Sequence, residues 1–124
     1  MEARPLTVLV VDDEFTIVET LAEILSWEGY RVVTAPNGRE GLAALEKDVP
    51  DLVLLDMMMP VMDGLQMLEE MRRRPEVRHV PVVLMTAAPM QLPRGEQLYD
   101  ALLLKPFGLD ALTRTLGKVL GRQL

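Results

Sequence analysis

Cysteine is absent from this 124-residue chain, so disulfide cross-links and thiolate metal sites are both excluded. Aromatic residues are scarce, at two Phe, two Tyr and one Trp, so the core has to be aliphatic. No apolar run approaches the ~18 residues that a membrane-spanning helix needs. The start, Met1-Glu2-Ala3-Arg4-Pro5, carries an acidic residue and leads straight into a strand-like run, unlike a secretory signal. Basic charge is also short: 13 Lys and Arg face 19 Asp and Glu, for a formal net charge of −6. That balance lacks the footprint of direct nucleic-acid binding. The expectation is a cytoplasmic protein with no membrane or direct nucleic-acid partner.

What is present is enough apolar material for a core, 49% of the residues, in a length that suits one domain. The expectation is a single domain over residues 1–124, with its core over about 6–120. Strand-like and helical segments alternate along it. Leu6–Val11 reads as a strand. Ile17, Leu21, Ile24 and Leu25 then fall on one helical face, Trp27 is expected to cover the end of that helix, and Gly29 stops it. Tyr30–Ala35 is a second, more polar strand. Asn37 is placed to cap a helix that carries Leu42 and Leu45. Leu52–Leu55 is a third strand ending at Asp56, followed by a short helix from Gly64 to Met71 with the basic run Arg72-Arg73-Arg74 at its end, where it favours the helix dipole. Pro81–Met85 is a fourth, ending at Thr86. Ala101–Leu104 is a fifth, ending at Lys105. Leu109, Leu112, Leu116, Val119 and Leu120 form the stripe of a last helix.

Strands one, three, four and five are almost uninterrupted apolar runs, as in parallel sheets covered on both faces. With right-handed crossovers this predicts a doubly wound five-stranded α/β sheet, order 2-1-3-4-5, the polar second strand at an edge. The stretch from Ala87 to Asp100 holds Pro89, Pro93 and Gly95, all poor helix residues. At most a turn or two of helix is expected there, near Gly95–Tyr99.

The strand ends carry the chemistry. Asp12-Asp13-Glu14 follows strand one, and Asp56, Thr86 and Lys105 stand at the ends of strands three, four and five. Parallel strands deliver these groups to one edge, where open α/β sheets bind ligands. Three carboxylates would crowd against one ammonium, and two like charges ~4 Å apart repel by about 4 kcal/mol at an effective dielectric of 20. A hard divalent cation relieves this, and an all-oxygen site suits Mg2+. The sole histidine, His79, lies before strand four, outside the set. A carboxylate beside such a metal is a candidate nucleophile toward phosphorus, with Lys105 and Thr86 placed to receive phosphoryl oxygens.

Four pieces in order carry a resemblance: Val10-Val11-Asp12-Asp13-Glu14, the run from Leu54 through Asp56 to Asp63-Gly64, Thr86-Ala87, and Lys105-Pro106-Phe107. The chain resembles the receiver domains of two-component response regulators, from about Leu6 to Leu120. The resemblance implies a flavodoxin-like fold with Asp56 as phosphoacceptor. Asp13, Asp56 and the Met58 backbone carbonyl would ligate Mg2+, and Asp12 would act through a metal-bound water. Lys105 would pair with the phosphoryl group, Thr86 would swing toward it, and Lys105-Pro106 would be cis. The donor would be a phosphohistidine on a sensor histidine kinase or histidine phosphotransfer protein. The chain would be a signalling switch rather than an enzyme, with slow self-catalysed phosphotransfer and dephosphorylation. It would act on a downstream protein, as a monomer or a phosphorylation-dependent homodimer, with no attached output domain.

Departures from the family pattern are visible. Leu102 stands where an aromatic residue is usual. Gly108 replaces a common Asp cap. Only 19 positions lead from Thr86 to Lys105, so a shortened or irregular fourth helix is expected. These features keep an alternative in view, a degenerate receiver serving only as a protein-interaction module. A small Mg2+ phosphatase is disfavoured by Met58, because such enzymes usually carry an acidic residue two after the nucleophile.

Overall fold

The structure, a computed structural model, describes residues 4–93 and 97–121. Five strands, β1 (Thr7–Val11), β2 (Arg31–Ala35), β3 (Leu52–Asp56), β4 (Val82–Thr86) and β5 (Ala101–Leu104), alternate with helices. These are α1 (Phe15–Trp27), α2 (Gly38–Lys47), α3 (Gly64–Arg73) and α4 (Leu109–Leu120). All strand pairs are parallel, and the order is β2-β1-β3-β4-β5, as the pattern of apolar runs predicts.

The three central strands are fully buried because alternate side chains serve opposite faces. Leu9, Val11, Val53, Leu55, Val82 and Leu84 face one apolar layer, with Leu42 and Leu45 of α2 and Met67, Leu68 and Met71 of α3. Val8, Val10, Leu52, Leu54, Val83 and Met85 face the other, with Leu21 and Leu25 of α1 and Leu112 and Leu116 of α4. Edge strand β2 keeps only Ala35 buried.

Local signals set the boundaries. Gly29 turns with φ of +94°, after the Glu28 amide has closed α1 on Ile24 and Leu25. Asn37 caps α2 by accepting the Glu40 amide at 2.9 Å. Asp63 and Gln66 form a reciprocal capping box at α3, which sequence reading did not single out. Trp27, expected to cover the end of α1, is instead 76% exposed, because Leu21 and Leu25 occupy the inward face.

Between β4 and β5 the described residues hold a single 3-10 turn, Pro89–Gln91. The helical turn expected near Gly95–Tyr99 falls partly on residues 94–96, outside the described residues, and 97–99 is not helical. Leu92, Leu98, Tyr99 and Leu102 nevertheless pack on the α2–α3 layer. Arg72 of α3 anchors this stretch. Its guanidinium donates to the carbonyl of Leu98 at 2.6 and 2.9 Å, and to those of Arg78 and Val80, each at 2.8 Å. It also pairs with the Asp100 carboxylate at 3.1 Å.

Candidate functional site

Asp12 and Asp13 follow β1, Asp56 ends β3, Thr86 ends β4 and Lys105 follows β5. Because the strands are parallel, these residues share the C-terminal edge of the sheet. The Lys105 ammonium lies 3.0 Å from Asp56 Oδ1 and 3.4 Å from Asp12 Oδ2. One carboxylate oxygen from each of Asp12, Asp13 and Asp56 lies within 4.8 Å of the other two. Asp12 and Asp56 are buried, at 1% and 4% exposure, while Asp13 is exposed at the rim. The other Asp12 oxygen accepts the Glu14 amide at 3.0 Å, which fixes the carboxylate as the chain turns into α1.

Burial dominates the electrostatics of Asp56 and raises its carboxyl from 3.8 to about 6. The hydrogen bond from Lys105 opposes that rise, and the Asp12 and Asp13 carboxylates add to it. Burial pulls the Lys105 ammonium down, but its pairing with Asp56 and Asp12 outweighs this and holds it above its ordinary value. One cation therefore serves three carboxylates, two of them withdrawn from water. Clustered oxygen donors with a negative excess and an open side are the donor set that a hard divalent cation takes.

Thr86 is buried at 1% exposure, and its hydroxyl oxygen accepts the Ala88 amide at 2.9 Å. Its carbonyl receives the Lys105 amide at 2.8 Å, tying the ends of β4 and β5 together. The Lys105–Pro106 peptide is cis. Met57 is buried, whereas the Met58 side chain is 61% exposed. The loop after Asp56 is moored twice: Gly64 N–H donates to the Met57 carbonyl at 3.0 Å, and Gly38 N–H to the Met62 carbonyl at 3.2 Å.

A profile of the response regulator receiver domain matches residues 8–116. The chain belongs to the response regulator receiver family. It is similar to the probable transcriptional regulatory protein TcrX of Mycobacterium tuberculosis, 36% identical over 98% of this chain and 52% of that protein. It is also similar to response regulator MprA of Mycolicibacterium vanbaalenii, 37% identical over 95% of this chain and 52% of that one. This receiver thus spans about half the length of these curated relatives. Among solved structures it resembles chemotaxis protein CheY4 of Vibrio cholerae, at 32% identity and a TM-score of 0.86, covering 94% of this chain and 99% of that one. It also resembles the receiver domain of sensor histidine kinase PA1611 from Pseudomonas aeruginosa. That match has 29% identity and a TM-score of 0.86, and covers 95% of this chain and 99% of that chain, which holds a magnesium ion in its active-site cleft. Relatives in this family are phosphoacceptor response regulators, and the acidic cluster of this receiver fits a phosphorylation site. Its fold is the CheY-like flavodoxin fold. No helix among the described residues is long and apolar enough to cross a membrane.

Two supporting residues escaped the sequence reading. Gly64 appears there as a helix start and as part of a motif, with no packing reason attached. Arg72 appears only as one of three basic residues at a helix end. Its offset of four from inward Leu68 was the available signal, because that spacing keeps it at the edge of the buried face.

Proposed function

We propose that Asp56 accepts a phosphoryl group from a phosphohistidine on a partner kinase or phosphotransfer protein, and that the resulting acyl phosphate switches protein contacts. The observation that carries this reading is the pairing of buried Asp56 with Lys105, beside two further carboxylates on the same sheet edge. In this reading an Asp56 oxygen attacks phosphorus in line, and the P–N bond breaks. The departing electron pair returns to the imidazole nitrogen, which is then protonated. Lys105 gives up part of its pairing with Asp56 and neutralises a phosphoryl oxygen. The Thr86 hydroxyl donates to another once it leaves its turn with Ala88.

Asp13, Asp56 and the Met58 carbonyl would hold Mg2+, with Asp12 acting through water, and the bound ion would neutralise charge that builds on the phosphoryl oxygens. Met58 offers no carboxylate or carboxamide to orient a hydrolytic water, and Ala87 and Ala88 are small. Resetting therefore rests on water reaching the acyl phosphate unaided. The domain would work in the cytoplasm on a downstream protein partner.

The test is incubation with Mg2+ and a small acyl-phosphate donor, followed by intact-mass measurement. One acid-stable, hydroxylamine-labile adduct of a single phosphoryl group is expected, absent in Asp56→Ala and in EDTA. A wild-type protein that stays unmodified would overturn the reading and leave a pure interaction module. Trp27 is exposed and ends α1, whose other end adjoins Asp12 and Asp13, so mass or NMR is preferred to its fluorescence.

A further inference from the structure

The ion pair at the centre of the site joins two separate elements. Asp56 ends β3, whose chain continues through a moored loop into α3. Lys105 follows β5, an edge strand of four residues with a neighbour on one side only. Where Lys105 sits depends on the register of that short strand. Slippage by one residue would move it ~3.3 Å and turn its side chain to the other face.

Beyond the β4–β5 ladder itself, which pairs Val83 to Thr86 with Ala101 to Leu104, two places pin the ends of the strand. At the site end, Lys105 N–H donates to the Thr86 carbonyl at 2.8 Å. At the far end, Asp100 N–H donates to the Val82 carbonyl, and an Asp100 carboxylate oxygen accepts Val82 N–H in return, both at 2.8 Å. That same carboxylate oxygen meets the Arg72 guanidinium at 3.1 Å. Arg72 is also fixed to the carbonyls of Leu98, Arg78 and Val80, and its side chain is only 19% exposed. Arg72 belongs to α3, the helix that begins where the Asp56 loop ends. Among the described residues no α-helix lies between β4 and β5 to take over this anchoring.

We propose that Arg72 and Asp100 form a brace between the Asp56 side and the Lys105 side of the site, and that Arg72 is a positioning residue for phosphoryl acceptance. It acts from the opposite end of the sheet by fixing the register of β5 and hence the place of the Lys105 ammonium. A planar guanidinium suits the task, since it satisfies three carbonyls and a carboxylate at once, which a lysine cannot reproduce. This inference rests on the proposed role of Asp56.

The full chain is compared with Arg72→Gln, Arg72→Lys and Asp100→Asn. Three quantities are read: Mg2+ affinity by NMR titration, the rate of labelling by a small acyl phosphate, and amide hydrogen exchange at Lys105 against Val10. Mg2+ binding should be retained, because its proposed ligands stand at the ends of β1 and β3 and in the loop after β3 rather than on β5. Labelling should slow at least fivefold in Arg72→Gln, with little recovery in Arg72→Lys. Protection of the Lys105 amide should fall more than that of Val10. Wild-type labelling rates with unchanged Lys105 protection in both Arg72→Gln and Asp100→Asn would overturn the brace. Equal loss of protection at Lys105 and Val10 would also overturn it, as mere global destabilisation. If Arg72→Gln does not fold, the half-exposed Asp100→Asn decides. A wild type that takes no label refutes the role of Asp56 instead, and the exchange comparison still decides the brace.

Discussion

Gly64 packs its bare Cα against the carbonyl oxygen of Asp56, where a Cβ would collide with that oxygen and lie 2.9 Å from Met57 Cα. The obstacle is main chain and cannot swing aside as a flexible side chain would. Gly64→Ala should therefore destabilise the protein by about 3 kcal/mol, the upper end of overpacking penalties. It should also displace the loop after Asp56. Urea unfolding checks the first effect, and a midpoint equal to wild type would contradict the packing described.

Asp56 gives the protein a pH dependence with an unusual sign for a carboxylate. In the unfolded chain it loses its proton near 3.8, and in the fold only at about 6. Between those values the folded state binds more protons, so stability falls as pH rises through the window and stays lower above it. The interval corresponds to ~3 kcal/mol at most. Asp56→Asn should accordingly raise stability at pH 7.5 in EDTA by about 1–2 kcal/mol, since Lys105 loses its closest partner in the exchange. The gain should vanish below pH 4. Thermal melts across pH 3.5–8 decide it, and a variant less stable than wild type at pH 7.5 would refute the burial argument.

Val61 adopts φ of +71°, a left-handed conformation that a β-branched side chain resists, and its side chain is 71% exposed. Nothing is gained from packing to offset this. Val61→Gly should stabilise the protein by about 1 kcal/mol, visible as a higher melting temperature with an unchanged fold. A loss of stability would show that the valine makes contacts the geometry does not suggest.

The Thr86 hydroxyl oxygen is engaged by the Ala88 amide, so reaching a phosphoryl group means leaving that turn. Addition of Mg2+ and beryllofluoride should shift the Ala88 amide resonance strongly in wild type. In Thr86→Ala the shift should be small although the mimic still binds. An Ala88 resonance that ignores the mimic in wild type would separate Thr86 from the switch.

The sheet and the acidic corner were legible in the sequence for a simple reason. Buried parallel strands are written as unbroken apolar runs, and the residue ending each run must lie at the same edge. That logic puts Asp12, Asp13, Asp56, Thr86 and Lys105 at one edge from the sequence alone. It did not place Arg72: the offset of four from Leu68 marks the edge of the buried face, but nothing in that spacing names carbonyls 6 to 26 positions away or a carboxylate 28 away. Trp27 misled for the converse reason. Its bulk suggests burial, yet its angular position on α1 sends it outward. The β4–β5 connection was read as poor in helix, since Pro89 and Pro93 act locally, and among the described residues it holds one 3-10 turn, at Pro89–Gln91, with 97–99 not helical.

The two moorings of the loop after Asp56, at Gly38 with Met62 and at Gly64 with Met57, have a thermodynamic corollary. A segment already held at both flanks has little freedom left to surrender when a cation arrives. Calorimetry of ion capture should then report a favourable entropy dominated by water set free from the ion and the carboxylates. Cutting either mooring should shift that entropy downward while the enthalpy of coordination changes little.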